Sequence, residues 1–147
     1  MPSDPIATGG SLRVLLIEDR PSDVRLVQEM LKDVSSESFL VQVVGTITDA
    51  LPRLRSGICD IVLLDLTLPD SRGLATFEQA YEANPDLPIL LLTGQSDEKL
   101  ALQAMRAGAQ DYVVKGTVDA HTLGRTIRYA VERKRTEERL RYRIEFE

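Results

Sequence analysis

The stretch Ile61-Val62-Leu63-Leu64-Asp65-Leu66-Thr67-Leu68-Pro69-Asp70 carries four aliphatic residues straight into a carboxylate and then stops at a proline. An apolar run with no polar alternation is the pattern of a strand buried on both faces, as in a parallel sheet covered by helices. Similar Val-, Ile- and Leu-rich runs lie on either side of it. The pattern predicts five strands, at Leu12–Ile17, Leu40–Gly45, Asp60–Asp65, Leu87–Leu92 and Asp111–Val114. Segments of helical periodicity separate them, near Ser22–Val34, Asp49–Ser56, Gly73–Ala83 and Asp97–Ala107, and a last one runs from Asp119 into the C-terminal tail. Gly57, Asn84-Pro85 and Gly108 each follow a periodic run, where helices commonly end on a left-handed residue or before a proline. Pro52 falls a few positions inside the second helix and marks a first turn or a kink.

Strand and helix in strict alternation, joined by right-handed crossovers, give a doubly wound α/β sheet with helices on both faces. In such sheets ligands sit beyond the carboxyl ends of the strands. The first strand ends in Glu18-Asp19, the third in Asp65, the fourth in Thr93 and the fifth in Lys115. Each has an ordinary explanation by itself, as a helix cap or a solvated loop residue. Together they bring three carboxylates to one rim, where they would repel unless a cation neutralised them. Oxygen ligands without imidazole or thiolate favour a hard cation, and weakly held Mg²⁺ fits best. A carboxylate beside Mg²⁺ is able to attack a phosphoryl group while the metal and a lysine ammonium neutralise the transferring oxygens. Asp65 is placed for that role, with Glu18 and Asp19 holding the metal.

Composition narrows the partners. The 147 residues fit one domain, and 43% hydrophobic with 28% charged residues is ordinary for a soluble globular chain. A net charge of -5 argues against nucleic-acid binding by general electrostatic attraction. Cys59 is the only cysteine, so no disulfide framework or thiolate cluster is expected, and a reducing cytoplasm is the simplest setting. The opening MPSDPIATGGS lacks the basic and apolar regions of a signal peptide, and no run approaches the roughly 18 apolar residues of a membrane span.

The motifs Ile17-Glu18-Asp19, LLDLTLPDSRG over Leu63–Gly73, LLTG over Leu91–Gly94 and AGAQDYVVKG over Ala107–Gly116 resemble those of the receiver domain of bacterial two-component response regulators. The likeness covers about Leu12 to Val131. It implies a flavodoxin-like fold with strand order 2-1-3-4-5. It further implies that Asp65 accepts phosphate from a histidine kinase or a histidine phosphotransfer protein. By the same resemblance Asp19, Asp65 and the Thr67 backbone carbonyl would ligate Mg²⁺, with Glu18 reaching it through water. Thr93 and Lys115 would contact the phosphoryl oxygens, and Tyr112 matches the aromatic switch position. The switched face would be the fourth helix, fifth strand and fifth helix, where members of the family often pair into homodimers. Two positions depart from the family pattern. Gly116 stands where a proline on a cis peptide is usual, and Arg20 follows the acidic pair where a small polar or acidic residue is commoner.

These readings divide the chain into a flexible N-terminal arm over 1–11, a receiver domain over 12–131 and a C-terminal helical extension or linker over 132–147. In the tail, Glu137 with Arg141 and Lys134 with Glu138 have helical spacing that lets the last helix persist past the domain edge. His121 is the only histidine and reads as a surface residue at a helix start. The arginines and lysine at 133–135 are interleaved with glutamates and read as a solvated face, so no direct nucleic-acid contact is expected. The resulting expectation is a phosphoacceptor regulatory module rather than an enzyme, limited to self-phosphorylation and slow autodephosphorylation. Two alternatives remain: an unphosphorylated receiver-like scaffold, and a Mg²⁺-dependent aspartyl phosphatase. Aspartyl phosphatases resembling the haloacid dehalogenase family place a second aspartate two residues after the nucleophile as general acid, and here Thr67 stands at that position.

Overall fold

A computed structural model describes residues 11–32 and 38–146, apart from the side chains of Tyr142 and of residues 144–146. Five parallel strands form the sheet: β1 (Leu12–Ile17), β2 (Phe39–Val44), β3 (Ile61–Asp65), β4 (Ile89–Thr93) and β5 (Asp111–Val114). Their order is β2-β1-β3-β4-β5, as expected. The helices are α1 (Pro21–Lys32), α2 (Ile47–Ser56), α3 (Leu74–Ala83), α4 (Glu98–Arg106) and the long α5 (Ala120–Phe146). Residues 1–10 of the expected arm, and the expected end of α1 at 33–34, lie outside the described residues.

Successive strand residues point to opposite faces, so an all-aliphatic strand supplies two cores at once. On one face Leu15, Ile17, Val62, Leu64 and Leu91 pack with Ile47 and Leu54 of α2, Phe77 of α3 and Ala101 of α4. On the other face Val14 joins Leu12, Leu16, Leu63 and Leu90 against Val27 of α1 and Leu123 and Ile127 of α5. The five residues of β3 are all buried, which makes this strand the rigid centre of the sheet. Phe77 stacks on Tyr81 one helical turn later, with ring centroids 5.5 Å apart. Gly108 closes α4 at φ 126, and a Cβ there would meet the Tyr81 ring at 3.0 Å. Cys59 is a half-buried free thiol against the core, and burial pushes that thiol up to about 11.

Helix α2 starts two residues before the expected Asp49, and Pro52 lies in its interior. Its amino end is satisfied from two sources. Thr46 Oγ1 accepts from Asp49 N at 3.0 Å, a local N-cap. Asp70 reaches across from the loop after β3 and accepts from Ile47 N at 3.0 Å, Thr48 N at 3.0 Å and Thr48 Oγ1 at 2.7 Å. Asp70→Ala should therefore cost about 1–2 kcal/mol, the usual scale for losing a cap, read as a lower urea midpoint. The slight burial of Asp70 is outweighed by these hydrogen bonds, so its carboxyl is held below the ordinary range. A depressed folded value means the contribution is present above the ordinary aspartate range and lost on acidification through the folded value. The wild type and Asp70→Ala should accordingly converge in stability in strong acid, and a constant gap would contradict this account.

Candidate functional site

The backbone ladders deliver four side chains to one rim. Asp65 closes β3 opposite Leu92 of β4, and Glu18 follows β1 with its N–H on Val44 O at 3.0 Å. Thr93 closes β4 opposite Val114, and Lys115 N donates to Thr93 O at 2.9 Å just beyond β5. Glu18, Asp65 and Thr93 are buried at 1%, 6% and 2% exposure. Burial of these polar groups is tolerated because each has partners.

Lys115 Nζ is the hub. It donates to Asp65 Oδ2 at 2.7 Å, Asp23 Oδ2 at 2.8 Å and Glu18 Oε2 at 3.2 Å. The other Asp65 oxygen accepts from Thr67 N at 2.7 Å, and Glu18 Oε1 accepts from Arg20 N at 3.1 Å. Carboxylate oxygens of Glu18, Asp23 and Asp65 lie within 4.8 Å of one another. Three acids against one ammonium leave excess negative charge in a small volume. A donor set of oxygens with that surplus fits a hard divalent cation such as Mg²⁺.

The protonation of the cluster reflects the same excess. Burial first, then a hydrogen bond with Asp65, pushes the Glu18 carboxyl up to about 7. Burial also pushes Asp65 up, but hydrogen bonds from Glu18, Lys115 and Thr67 N outweigh it and hold Asp65 below its ordinary value. Burial disfavours the charged Lys115, yet its bonds to Asp23 and Asp65 win and its ammonium is held more firmly than usual. For Glu18 the folded value lies above the unfolded one, so its contribution is fully present below the ordinary glutamate range and lost as pH rises through about 7. Glu18→Gln in chelator-treated protein should flatten the fall in stability between about pH 5 and about pH 8. Parallel pH profiles for wild type and variant would contradict that assignment.

Of the residues expected at the site, Glu18, Asp65 and Lys115 come together directly. Asp19 is exposed and lies outside the carboxylate group. Thr93 sits at the rim, with its hydroxyl donating to Val113 O at 3.2 Å. Tyr112 is half-buried and packs against the core on the α2–α4 side. Thr67 contributes its N–H to Asp65. Arg20 and Gly116 are exposed, and no cis peptide bond occurs among the described residues, so the chain passes Gly116 in trans. Asp23 is the site residue that the sequence reading missed. Its signal was available: α1 begins at the carboxyl end of β1, so an acid in its first turn faces the same rim.

The model of the response regulator receiver domain matches residues 14–128. The luminescence regulatory protein LuxO of Vibrio campbellii is 34% identical over 118 residues, which is 80% of this chain and 25% of that protein. The transcriptional regulatory protein ZraR of Salmonella typhimurium is 30% identical over 126 residues, 86% of this chain and 28% of that protein. The chain thus spans about a quarter of the length of these curated relatives. Among solved structures, the signal receiver domain of a LuxO repressor protein from Vibrio parahaemolyticus aligns with TM-score 0.73 and 25% identity, covering 88% of this chain and 97% of that one. A receiver domain protein from Clostridium thermocellum aligns with TM-score 0.73 and 24% identity over 85% of this chain and 98% of that chain.

Proposed function

Because this chain belongs to the response regulator receiver domain family, we propose that Asp65 is its phosphoacceptor, loaded from a histidine kinase or a histidine phosphotransfer protein. The observation that carries this reading is the pairing of Asp65 Oδ2 with Lys115 Nζ at 2.7 Å on a buried strand end. In the transfer, an Asp65 oxygen attacks the phosphorus of the donor and forms a new O–P bond. The P–N bond of a phosphohistidine breaks in the same displacement, and its electron pair leaves with the imidazole. Lys115 is positioned to balance the charge on the transferring oxygens.

Glu18 and Asp65 would hold Mg²⁺, with Asp19 and the Thr67 carbonyl as the further oxygens that family membership suggests. Bound there, the metal would neutralise charge on the phosphoryl oxygens. Thr93 would turn its hydroxyl from Val113 O toward the phosphoryl group, and Tyr112 would fill the space it leaves. A phosphoryl group brings roughly 1.5–2 negative charges and three acceptors, enough to reweight two such arrangements. The altered face would be α4, β5 and α5, and homodimer formation there is favoured if the dimer binds the phosphorylated form better. A regulatory role in the cytoplasm fits these features, and no helix among the described residues is long and apolar enough to cross a membrane.

The experiment is incubation with Mg²⁺ and acetyl phosphate followed by intact mass measurement. The expected product is one acid-stable, base-labile phosphoryl adduct that a chelator prevents. No adduct on the wild-type chain would end this reading.

A further inference from the structure

An ammonium has three N–H donors, and in this structure all three of Lys115 are taken by carboxylates. A phosphoryl oxygen arriving on Asp65 therefore has to displace one of them. Asp65 remains the attachment point of the phosphoryl group, so its side of the ammonium is where the new oxygens arrive. The Glu18 contact is the longest of the three at 3.2 Å, and its other oxygen is held by Arg20 N. The Asp23 contact is short, at 2.8 Å, between side chains only 15% and 22% exposed. Asp23 stands on the first turn of α1 rather than at a strand end. It needs no partner other than a cation, and its pull on Lys115 competes with that of Asp65.

Resting on the phosphoacceptor reading above, we propose that Asp23 is a positioning residue that holds the Lys115 ammonium back and competes for it with the incoming phosphoryl group. Loading of Asp65 then requires the Asp23–Lys115 pair to loosen. The same carboxylate adds negative charge to the pocket, which strengthens the hold on a divalent cation. One side chain thus works in opposite directions on two separable quantities, metal affinity and the loading rate at saturating metal.

The test compares wild type, Asp23→Asn and Asp23→Glu for Mg²⁺ affinity by titration, and for the rate of adduct formation from acetyl phosphate at saturating Mg²⁺. Asp23→Asn should bind Mg²⁺ several-fold more weakly yet load several-fold faster once saturated, since the neutral amide competes less for the ammonium. Asp23→Glu keeps the charge and should restore the slower rate. In a Lys115→Met background the acceleration by Asp23→Asn should vanish. A loading rate for Asp23→Asn that is unchanged or lower, while the wild type labels normally, overturns this inference alone, as does an undiminished acceleration in the Lys115→Met background. A wild type that takes up no phosphoryl group overturns the phosphoacceptor reading and this inference with it.

Discussion

The Asp65→Asn variant is expected to take up no phosphoryl group under conditions that label the wild-type chain completely. The amide has the size of the carboxylate, so the buried end of β3 is preserved while the nucleophilic oxygen is lost. The substitution also leaves a mismatch. Thr67 N donates to one Asp65 oxygen and Lys115 Nζ to the other, beside the hydrogen bond with Glu18. An asparagine has a single oxygen to offer, so one donor meets an NH₂ group. The surrounding acids do not supply a replacement: Asp23 is held in α1 and Glu18 is turned toward Lys115 and Arg20 N. Labelling of this variant to the wild-type extent would place the acceptor elsewhere.

The second large effect is expected from Lys115→Met. The ammonium is the cation that the three clustered carboxylates share, and one of its donors points at an oxygen of the carboxylate that would carry phosphate. Removal of one preorganised donor from a developing oxyanion typically lowers a rate on the order of 100-fold, and a loss of about that size is expected in loading at saturating Mg²⁺. Without metal the consequence is electrostatic. Glu18, already pushed up to about 7, loses one of the influences that favour its charged form. The variant should therefore lose most stability on the alkaline side of neutrality, where protonation cannot relieve the repulsion. A loading rate within about twofold of wild type would show that the ammonium does not face the transferring group.

How much of this was legible in the sequence depends on the range of the interactions involved. The strands are aliphatic runs that need no knowledge of their neighbours, and β1 and β5 match the expected bounds, while β2 begins one residue early and β4 runs Ile89–Thr93 rather than Leu87–Leu92. In the latter case Pro88 contributes only its carbonyl, which accepts from Val62 N, so the regular ladder starts after it. The two-residue antiparallel pair at Thr67–Leu68 and Ser71–Arg72 is too short for any periodicity to reveal. The early start of α2 rests on the local N-cap Thr46 and on Asp70, a second cap supplied from more than twenty residues away that helical periodicity does not announce. The long α5 followed from its alternating charges, but the pairs differ. Lys134 meets Glu137 at 3.9 Å rather than Glu138, and Arg141 turns to Asp86 at 3.7 Å. Long side chains on a helix have several partners within reach, and spacing alone does not choose among them.

At the site, residues at strand ends were readable because the parallel sheet converts sequence position into a place on the rim. Asp23 escaped because it arrives from a helix, and helix-start acids usually read as dipole complements. Asp19 neighbours Glu18 in sequence, but adjacent residues of an extended segment point to opposite sides, so Glu18 is buried while Asp19 is exposed.

Asp65 itself is proposed to carry the phosphoryl group. Reduction of the loaded protein with borohydride converts an acyl phosphate to an alcohol, so peptide mass mapping locates the acceptor. Homoserine at position 65, absent without Mg²⁺ or without the phosphodonor, is the predicted result. Homoserine at another acid, or unmodified Asp65 in a protein that carries phosphate, would contradict it.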